Sequence, residues 1–239
     1  MCAIRDWLNR HNFEEIECLI PGINGNSLGK LVYTDKLLKG DIRLPEAVLL
    51  QSITGGYPED FEDILGVTDS DMILTADPES ACVVPWAEKP TAQIIHDCHT
   101  HDGKMHPLSS RGVLKRVIGL FEKKGWRPVV APEIEFYLIR QSFHSDSKLQ
   151  PATGRSGRAE KVRKSYTIEA IKEFDALVRE VFLYCESMAI DVDSIVDESG
   201  AAQMEMNFLH GDPVNLADQV FSFKRLLHET AMKYGIFAT

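Results

Sequence analysis

Disulfides, membrane spans and a basic surface are all missing from this sequence of 239 residues. Its five cysteines, Cys2, Cys18, Cys82, Cys98 and Cys185, are odd in number and contain no Cys-x-x-Cys pair. That fits thiols kept reduced in the cytoplasm rather than a disulfide framework. The 26 Lys and Arg are outnumbered by 36 Asp and Glu, and a net charge of −10 argues against a nucleic-acid surface or an anionic membrane. No apolar run approaches the length of a membrane span, and the first residues lack the apolar core of a signal peptide. There is no internal repeat and no low-complexity tract. What remains is the composition of an ordinary globular protein, 44% hydrophobic and 26% charged, with length for one large domain or two smaller ones.

The first half reads as mostly β with one helix. A short amphipathic helix over residues 3–9 precedes a strand at Glu15–Ile20, the Pro21–Asn26 turn cluster and a partner strand at Leu28–Tyr33. Glu46–Leu50 reads as a helical turn. Asp71–Leu74 and Ala81–Val84 flank an Asp77-Pro78-Glu79-Ser80 turn and so predict a hairpin, and Thr91–His96 is a further strand. From Pro107 the period changes. Ser109 or Ser110 can cap a helix with Val113, Leu114, Val117, Ile118, Leu120 and Phe121, ending at Gly125. A polar stretch, Gln141–Ser165, contains Gly154-Arg155-Ser156-Gly157-Arg158, a loop that meets either solvent or a phosphate. Thr167 opens a long helix running to Met188, and Asp212-Pro213 starts another with the stripe Leu216, Val220, Phe223, Leu227 and Ala231. Ile236–Thr239 reads as the start of one more strand, as though the chain were the N-terminal fragment of a longer protein.

The strongest strand signal in the chain, Pro132–Ile139, carries Glu133 and Glu135. Residues two apart point to one face, so both carboxylates project together from an apolar strand. Such a pair repels itself and needs either solvent or a compensating charge, and hard divalent cations take oxygen ligands. In a chain this acidic an acidic pair is common, and a solvated edge strand is the plainer reading. A second predicted hairpin sharpens the signal. Asp191–Asp197 and Ala201–Phe208 form two strands joined at Ser199-Gly200. Glu198 precedes the turn, and Glu205 alternates with Gln203 and Asn207 on one face, Met204, Met206 and Phe208 taking the other. Glu133, Glu135, Glu198 and Glu205 meeting across a sheet would carry enough negative charge for two divalent cations, an arrangement suited to phosphoryl transfer.

The run Glu133-Ile134-Glu135-Phe136, then Glu198–Phe208, Gly211-Asp212-Pro213 and Ala217–Arg225 resembles the glutamine synthetase family, in wording nearest its γ-glutamylpolyamine synthetase-like branch. Pro85-Trp86, Asp97, Pro107 and Arg111 fall where that family places its inter-domain signature. The resemblance implies an α+β fold: a β-grasp N-terminal domain over residues 1–106 and the first part of a catalytic domain over 107–239. It implies an ATP-dependent ligase that joins glutamate to an amine, ammonia or a polyamine, through a γ-glutamyl phosphate. It implies two or more Mg²⁺ or Mn²⁺ ions per site, with Glu135, Glu198 and Glu205 toward glutamate and Glu133 toward ATP. Homo-oligomeric rings with active sites between subunits are implied as well.

Two departures qualify the resemblance. No Asn-x-His-x-His-x-Ser motif occurs, so the fragment is not expected to turn over alone, and an assembly or regulatory module is the alternative. Thr54-Gly55-Gly56 stands where glutamine synthetases proper carry an Asp-Gly-Ser-Ser-like ammonium loop, which favours a larger amine. A metal-dependent phosphatase or nuclease is a distant third, having neither nucleophile nor basic groove. Asp97, Cys98, His99, His101, Asp102 and His106 have the composition of a metal site, with His99 and His101 on one strand face, but Asp102-Gly103 reads as an exposed turn.

Overall fold

The computed structural model of the chain describes residues 2–66, 70–141, 148–160 and 165–239. It is a mixed α and β structure with two compact units, one of Met1–Pro128 with Pro213–Phe221 and one of Val129–Asp212 with Ser222–Thr239.

In the first unit, helix α1 (Cys2–His11) leads into β1 (Glu15–Pro21) and β2 (Ser27–Tyr33), which pair antiparallel across the Pro21–Asn26 turn. Helix α2 (Thr34–Lys39), strand β3 (Ile42–Pro45), a 3-10 turn at Glu46–Leu50 and helix α3 (Phe61–Leu65) follow, so the unit has two more short helices than its sequence pattern suggests. The sheet is completed by β4 (Asp71–Ala76), β5 (Cys82–Val83) and β6 (Thr91–His99) in the order β2-β1-β6-β4-β3, with β5 also on β6. The predicted hairpin of β4 with β5 does not form. β4 pairs with His96–His99 and β5 with Ala92–Gln93, each strand lying against β6. The reason is burial: Thr91–His96 is buried without interruption, so β6 is the centre on which its neighbours pair. One of its faces joins the core of Ile4, Leu8, Ile16, Ile20, Met72 and Ile94, and on the other Ile95 meets Leu19 and Phe221.

Helix α4 (Ser110–Glu122) is capped as expected, Ser109 Oγ accepting the Gly112 N–H at 3.2 Å. It does not bury its apolar stripe, since Val113, Val117, Leu120 and Phe121 are exposed. What it buries is a charge. Arg111, 5% exposed, donates from Nη1 to Asp97 at 2.5 Å and from Nη2 to Asp77 at 2.6 Å and Asp218 at 2.7 Å. Nε also donates to Asp218 at 2.9 Å, and Lys115 reaches Asp97 at 2.6 Å. Three carboxylates and two cations therefore share one partly buried site. Burial still holds the Asp218 carboxyl above the usual carboxylate range despite the guanidinium beside it.

The second unit is built on a four-stranded sheet: β7 (Glu133–Arg140), β8 (Val192–Asp197), β9 (Gln203–Phe208) and β10 (Ile236–Ala238), in the order β10-β7-β9-β8. Phe136, Leu138, Met204, Met206 and Phe208 are buried on one face. There Phe223 of helix α7 (Pro213–Lys233) meets Phe208 edge-on at 5.3 Å and Phe136 at 6.5 Å between ring centroids. The single helix predicted from Thr167 is two, α5 (Ile168–Glu173) and α6 (Asp175–Ser187), broken at Phe174 (φ −115°, ψ 26°). The break coincides with long-range bonds. Arg155 N–H donates to the Glu173 carbonyl at 2.8 Å and Ser156 N–H to its carboxylate at 2.9 Å. Ile168, the first residue of α5, is exposed. Of the polar stretch Gln141–Ser165, residues 142–147 and 161–164 lie outside the described residues. Arg155 and Arg158 sit beside Glu173, whose carboxyl is held low first by the Ser156 bonds and then by these two charges.

Two outcomes follow for the first unit. Arg111→Leu should destabilise it by about 3–5 kcal/mol in urea unfolding, because three carboxylates lose their shared partner. Arg111→Lys should recover only part of this, since one ammonium cannot reproduce a planar fork. His96, 1% exposed, donates from Nδ1 to the Ile94 carbonyl at 2.9 Å, and burial lowers its pKa to about 4. The unfolded chain therefore binds more protons between about pH 6.5 and 4, and stability is lost as pH falls through that window. His96→Leu should flatten this part of the midpoint-versus-pH curve by about 3 kcal/mol; an unchanged curve would refute the assignment.

Candidate functional site

Opposite the buried face, the β7-β9-β8 sheet presents a face of polar side chains. Its register places Glu133 opposite Asn207, Glu135 opposite Glu205 and Tyr137 opposite Gln203. On the far side of β9, Ser194 pairs with Asn207 and Val196 with Glu205, while the Glu198 N–H donates to the Gln203 carbonyl at 2.9 Å. The result is three cross-strand rows: Glu133–Asn207–Ser194, Glu135–Glu205–Val196 and Tyr137–Gln203–Glu198. All four glutamates singled out from the sequence thus belong to one face, Glu133 and Glu135 exposed, Glu198 and Glu205 partly buried. Glu133 and Glu135 are exposed on the stretch of β7 that pairs with β9 alone, since β10 pairs only with Leu138–Arg140, so the solvated-edge reading stands beside the cation-ligand one.

Directly opposed residues have Cβ atoms about 5 Å apart. Two unit charges at that distance repel by roughly 1–3 kcal/mol between the dielectric of water and that of a protein surface. The effect is visible on Glu205, whose carboxyl is pushed above its ordinary range, first by burial and then by Glu133, Glu198 and Glu135, against a hydrogen bond from Asn207. Among the described residues no three His, Cys, Asp or Glu side chains are gathered tightly enough to hold a metal ion as they stand. The four carboxylates share a face without converging on a point. Their chemistry nonetheless fits a hard divalent cation: anionic oxygen donors only, on one sheet surface, with a negative field already felt by Glu205.

The turn that carries Glu198 is held from several sides. Behind it Asp197, 1% exposed, takes the Thr167 N–H on Oδ2 at 3.3 Å and the Tyr166 N–H on its carbonyl at 2.8 Å. Ala202, in the left-handed region at φ 54°, donates its N–H to Glu160 Oε2 at 2.8 Å. Ser165 and Ser199 hydroxyls meet at 3.0 Å. Sequence reasoning gave Asp197, Glu160 and Thr167 no part in the site. The only advance signal was an acid directly beside Glu198.

The Asp97–His106 cluster does not form a metal site. Asp97 serves Arg111 and Lys115, His99 Nδ1 lies 3.1 Å from Thr75 Oγ1, and Asp102 binds Thr100 and Lys104. His106 Nδ1 accepts the Leu108 N–H at 3.3 Å, while Nε2 faces Glu46 at 3.8 Å. His101 lies in the turn beyond β6, so it shares no strand face with His99.

Four carboxylates thus share one sheet face, backed by one long helix in a mixed α and β unit. Residues 107–239 match the family model described as glutamine synthetase, catalytic domain, and the chain belongs to the glutamine synthetase family. It is 26% identical to glutamine synthetase of Pyrococcus furiosus over 215 residues, 88% of this chain and 46% of that protein. It is 29% identical to a glutamate–isopropylamine ligase of a Pseudomonas species over 244 residues, 99% of this chain and 52% of that protein. Its fold is similar to that of GmaS in a complex with ADP, with a TM-score of 0.76 at 22% identity, covering 100% of this chain and 51% of the other. The chain spans about half the length of the curated relatives it matches.

The repulsion on this face gives a simple test. Glu205→Gln removes one of four like charges and should raise the thermal midpoint of the metal-free chain at neutral pH in low salt. Raising the salt concentration should shrink the gain, because partly exposed charges are screened. A lower midpoint for Glu205→Gln in low salt would show that the acids do not repel as described.

Proposed function

We propose that this chain is part of an ATP-dependent ligase that joins the side-chain carboxylate of glutamate to an amine. Glu133, Glu135, Glu198 and Glu205 would hold Mg²⁺ or Mn²⁺, two or more ions per site. The observation that carries this reading is the shared face of the four glutamates, with Glu135 opposite Glu205, inside the span matched by the catalytic-domain model. In this chemistry a glutamate oxygen attacks the γ-phosphorus of ATP and ADP departs. The amine nitrogen then attacks the γ-carbonyl carbon of the resulting acyl phosphate, and phosphate leaves as the amine loses a proton. Bound cations would supply neutralising charge between phosphates and carboxylate. The chain's own contribution is to hold that charge in place: Glu135, Glu198 and Glu205 toward glutamate, Glu133 toward ATP.

Residues 1–106 are read as the β-grasp domain and 107–239 as part of the catalytic domain of a homo-oligomeric ring. An acceptor larger than ammonia is favoured, because Thr54-Gly55-Gly56 replaces the ammonium-loop pattern and one relative is named for isopropylamine. A reducing cytoplasm suits the thiols of Cys18, Cys98 and Cys185, which are buried, unpaired and pushed by burial up to about 12. No described helix is long and apolar enough to cross a membrane.

The test is phosphate release from ATP with glutamate, comparing ammonia, putrescine and simple alkylamines, in the natural polypeptide that contains this chain. Glu135→Ala and Glu205→Ala should each lower turnover at least about 100-fold. Full activity in both variants would remove the ligand assignment, and glutamate-independent ATP hydrolysis would remove the ligase.

A further inference from the structure

Gln203 lies on β9 two residues from Glu205, on the same face, and its side-chain amide makes two contacts. Oε1 accepts the Gly200 N–H at 2.8 Å, and Nε2 donates to Glu135 Oε2 at 2.7 Å. A backbone N–H can only donate, so the amide orientation follows from chemistry: oxygen toward the turn, nitrogen toward the carboxylate. The turn side of this arrangement has no spare room. A Cβ added at Gly200 would lie 2.5 Å from Gln203 Oε1, 2.5 Å from Tyr137 Cε1 and 2.6 Å from Tyr137 Oη. Tyr137 is also the register partner of Gln203. One planar amide, wedged beside a tyrosine ring, thus connects the turn that follows Glu198 to the carboxylate of Glu135.

We propose that Gln203 is a positioning residue that holds the Glu135 carboxylate by one oxygen and ties its orientation to the turn bearing Glu198. The inference rests on the reading of the four glutamates as cation ligands and deepens it. Left alone, a carboxylate opposite another acid rotates toward solvent, which lowers repulsion but dissolves the site. A hydrogen bond to an ionised carboxylate is among the stronger kinds, and here it fixes Oε2 while leaving Oε1 unengaged by Gln203. Gly200 is part of the same device, since any side chain there would displace the amide. Groups that orient a metal ligand in this way contribute about 10–100-fold to metal affinity.

The experiment is Mn²⁺ binding followed by electron paramagnetic resonance of free and bound ion, on the natural polypeptide and its Glu135→Gln, Gln203→Met and Gly200→Ala variants. Glu135→Gln tests the underlying reading. If the unaltered protein binds no Mn²⁺, or Glu135→Gln binds it as well, the four-glutamate site itself fails. Where that control behaves, Gln203→Met should bind Mn²⁺ about 10–100-fold more weakly and give a changed bound-ion spectrum. Gly200→Ala keeps the amide but pushes it aside, so it should move both readouts in the same direction and decides the matter if Gln203→Met does not fold. A purely structural role would lower the thermal midpoint while leaving the bound-ion spectrum as it was. Unchanged affinity and spectrum in either folded variant would overturn the positioning role.

Discussion

The pairing register of β7 on β9 is the constraint on which the acidic face depends. With Glu135 opposite Glu205, Phe136 falls opposite Met204 and Ile134 opposite Met206, so each strand divides cleanly into an apolar and an acidic side. A slip of one residue in either strand would exchange its two sides. Phe136 and Leu138, or Met204, Met206 and Phe208, would then face water, losing about 1.5–3 kcal/mol each, and the acids would meet Phe223. Burying a lone carboxylate costs several kcal/mol more. Set against this, the mutual repulsion of the acids is the smaller term. Hydrophobic burial behind the sheet therefore gathers like charges in front of it.

The first unit handles a similar problem differently. Asp77, Asp97 and Asp218 would also repel, yet Arg111 and Lys115 lie among them and the cluster is internally compensated. A guanidinium with five donors in one plane is suited to serving three carboxylates at once. Such a cluster is closed: its hydrogen bonds are made within the protein. The glutamate face is open, its acids pressing on one another and on Glu205 most visibly. That difference separates an ion cluster whose charges meet within the protein from a surface whose acids face one another without a counter-charge among the four.

How much of this could be read from the sequence varied with the distance over which each contact acts. The alternation of Glu133, Ile134, Glu135 and Phe136, the Ser109 cap and the Asp212-Pro213 helix start are local patterns, and each appears as read. The break at Phe174 was not legible, because the N–H groups that bind Glu173 come from Arg155 and Ser156, across a stretch of loop. The β4–β5 hairpin was misread because adjacency in sequence favours a hairpin, whereas the long buried strand β6 offers both a better partner. Arg111 has the same character, since its carboxylates come from 14, 34 and 107 residues away. For the glutamates, residue type and parity were legible on each strand separately. Their meeting across one sheet was an expectation from that parity, the family resemblance implied their separate roles, and the register gives the shared face a physical basis.

The four glutamates are not held alike. Glu133, Glu135 and Glu205 stand within the β7–β9 ladder, whose register fixes their Cα positions relative to one another. Glu198 stands just past the end of β8, where the ladder gives way to a turn. Besides the backbone bond from the Glu198 N–H to the Gln203 carbonyl, three further bonds constrain that turn: Asp197 to Thr167, Ala202 to Glu160 and Gly200 to Gln203. Each of these contacts is made by a side chain, and side-chain contacts are easier to lengthen or exchange than a ladder. The ladder thus sets three acids at fixed spacing, and the turn carries a fourth, tied back to Glu135 through one amide.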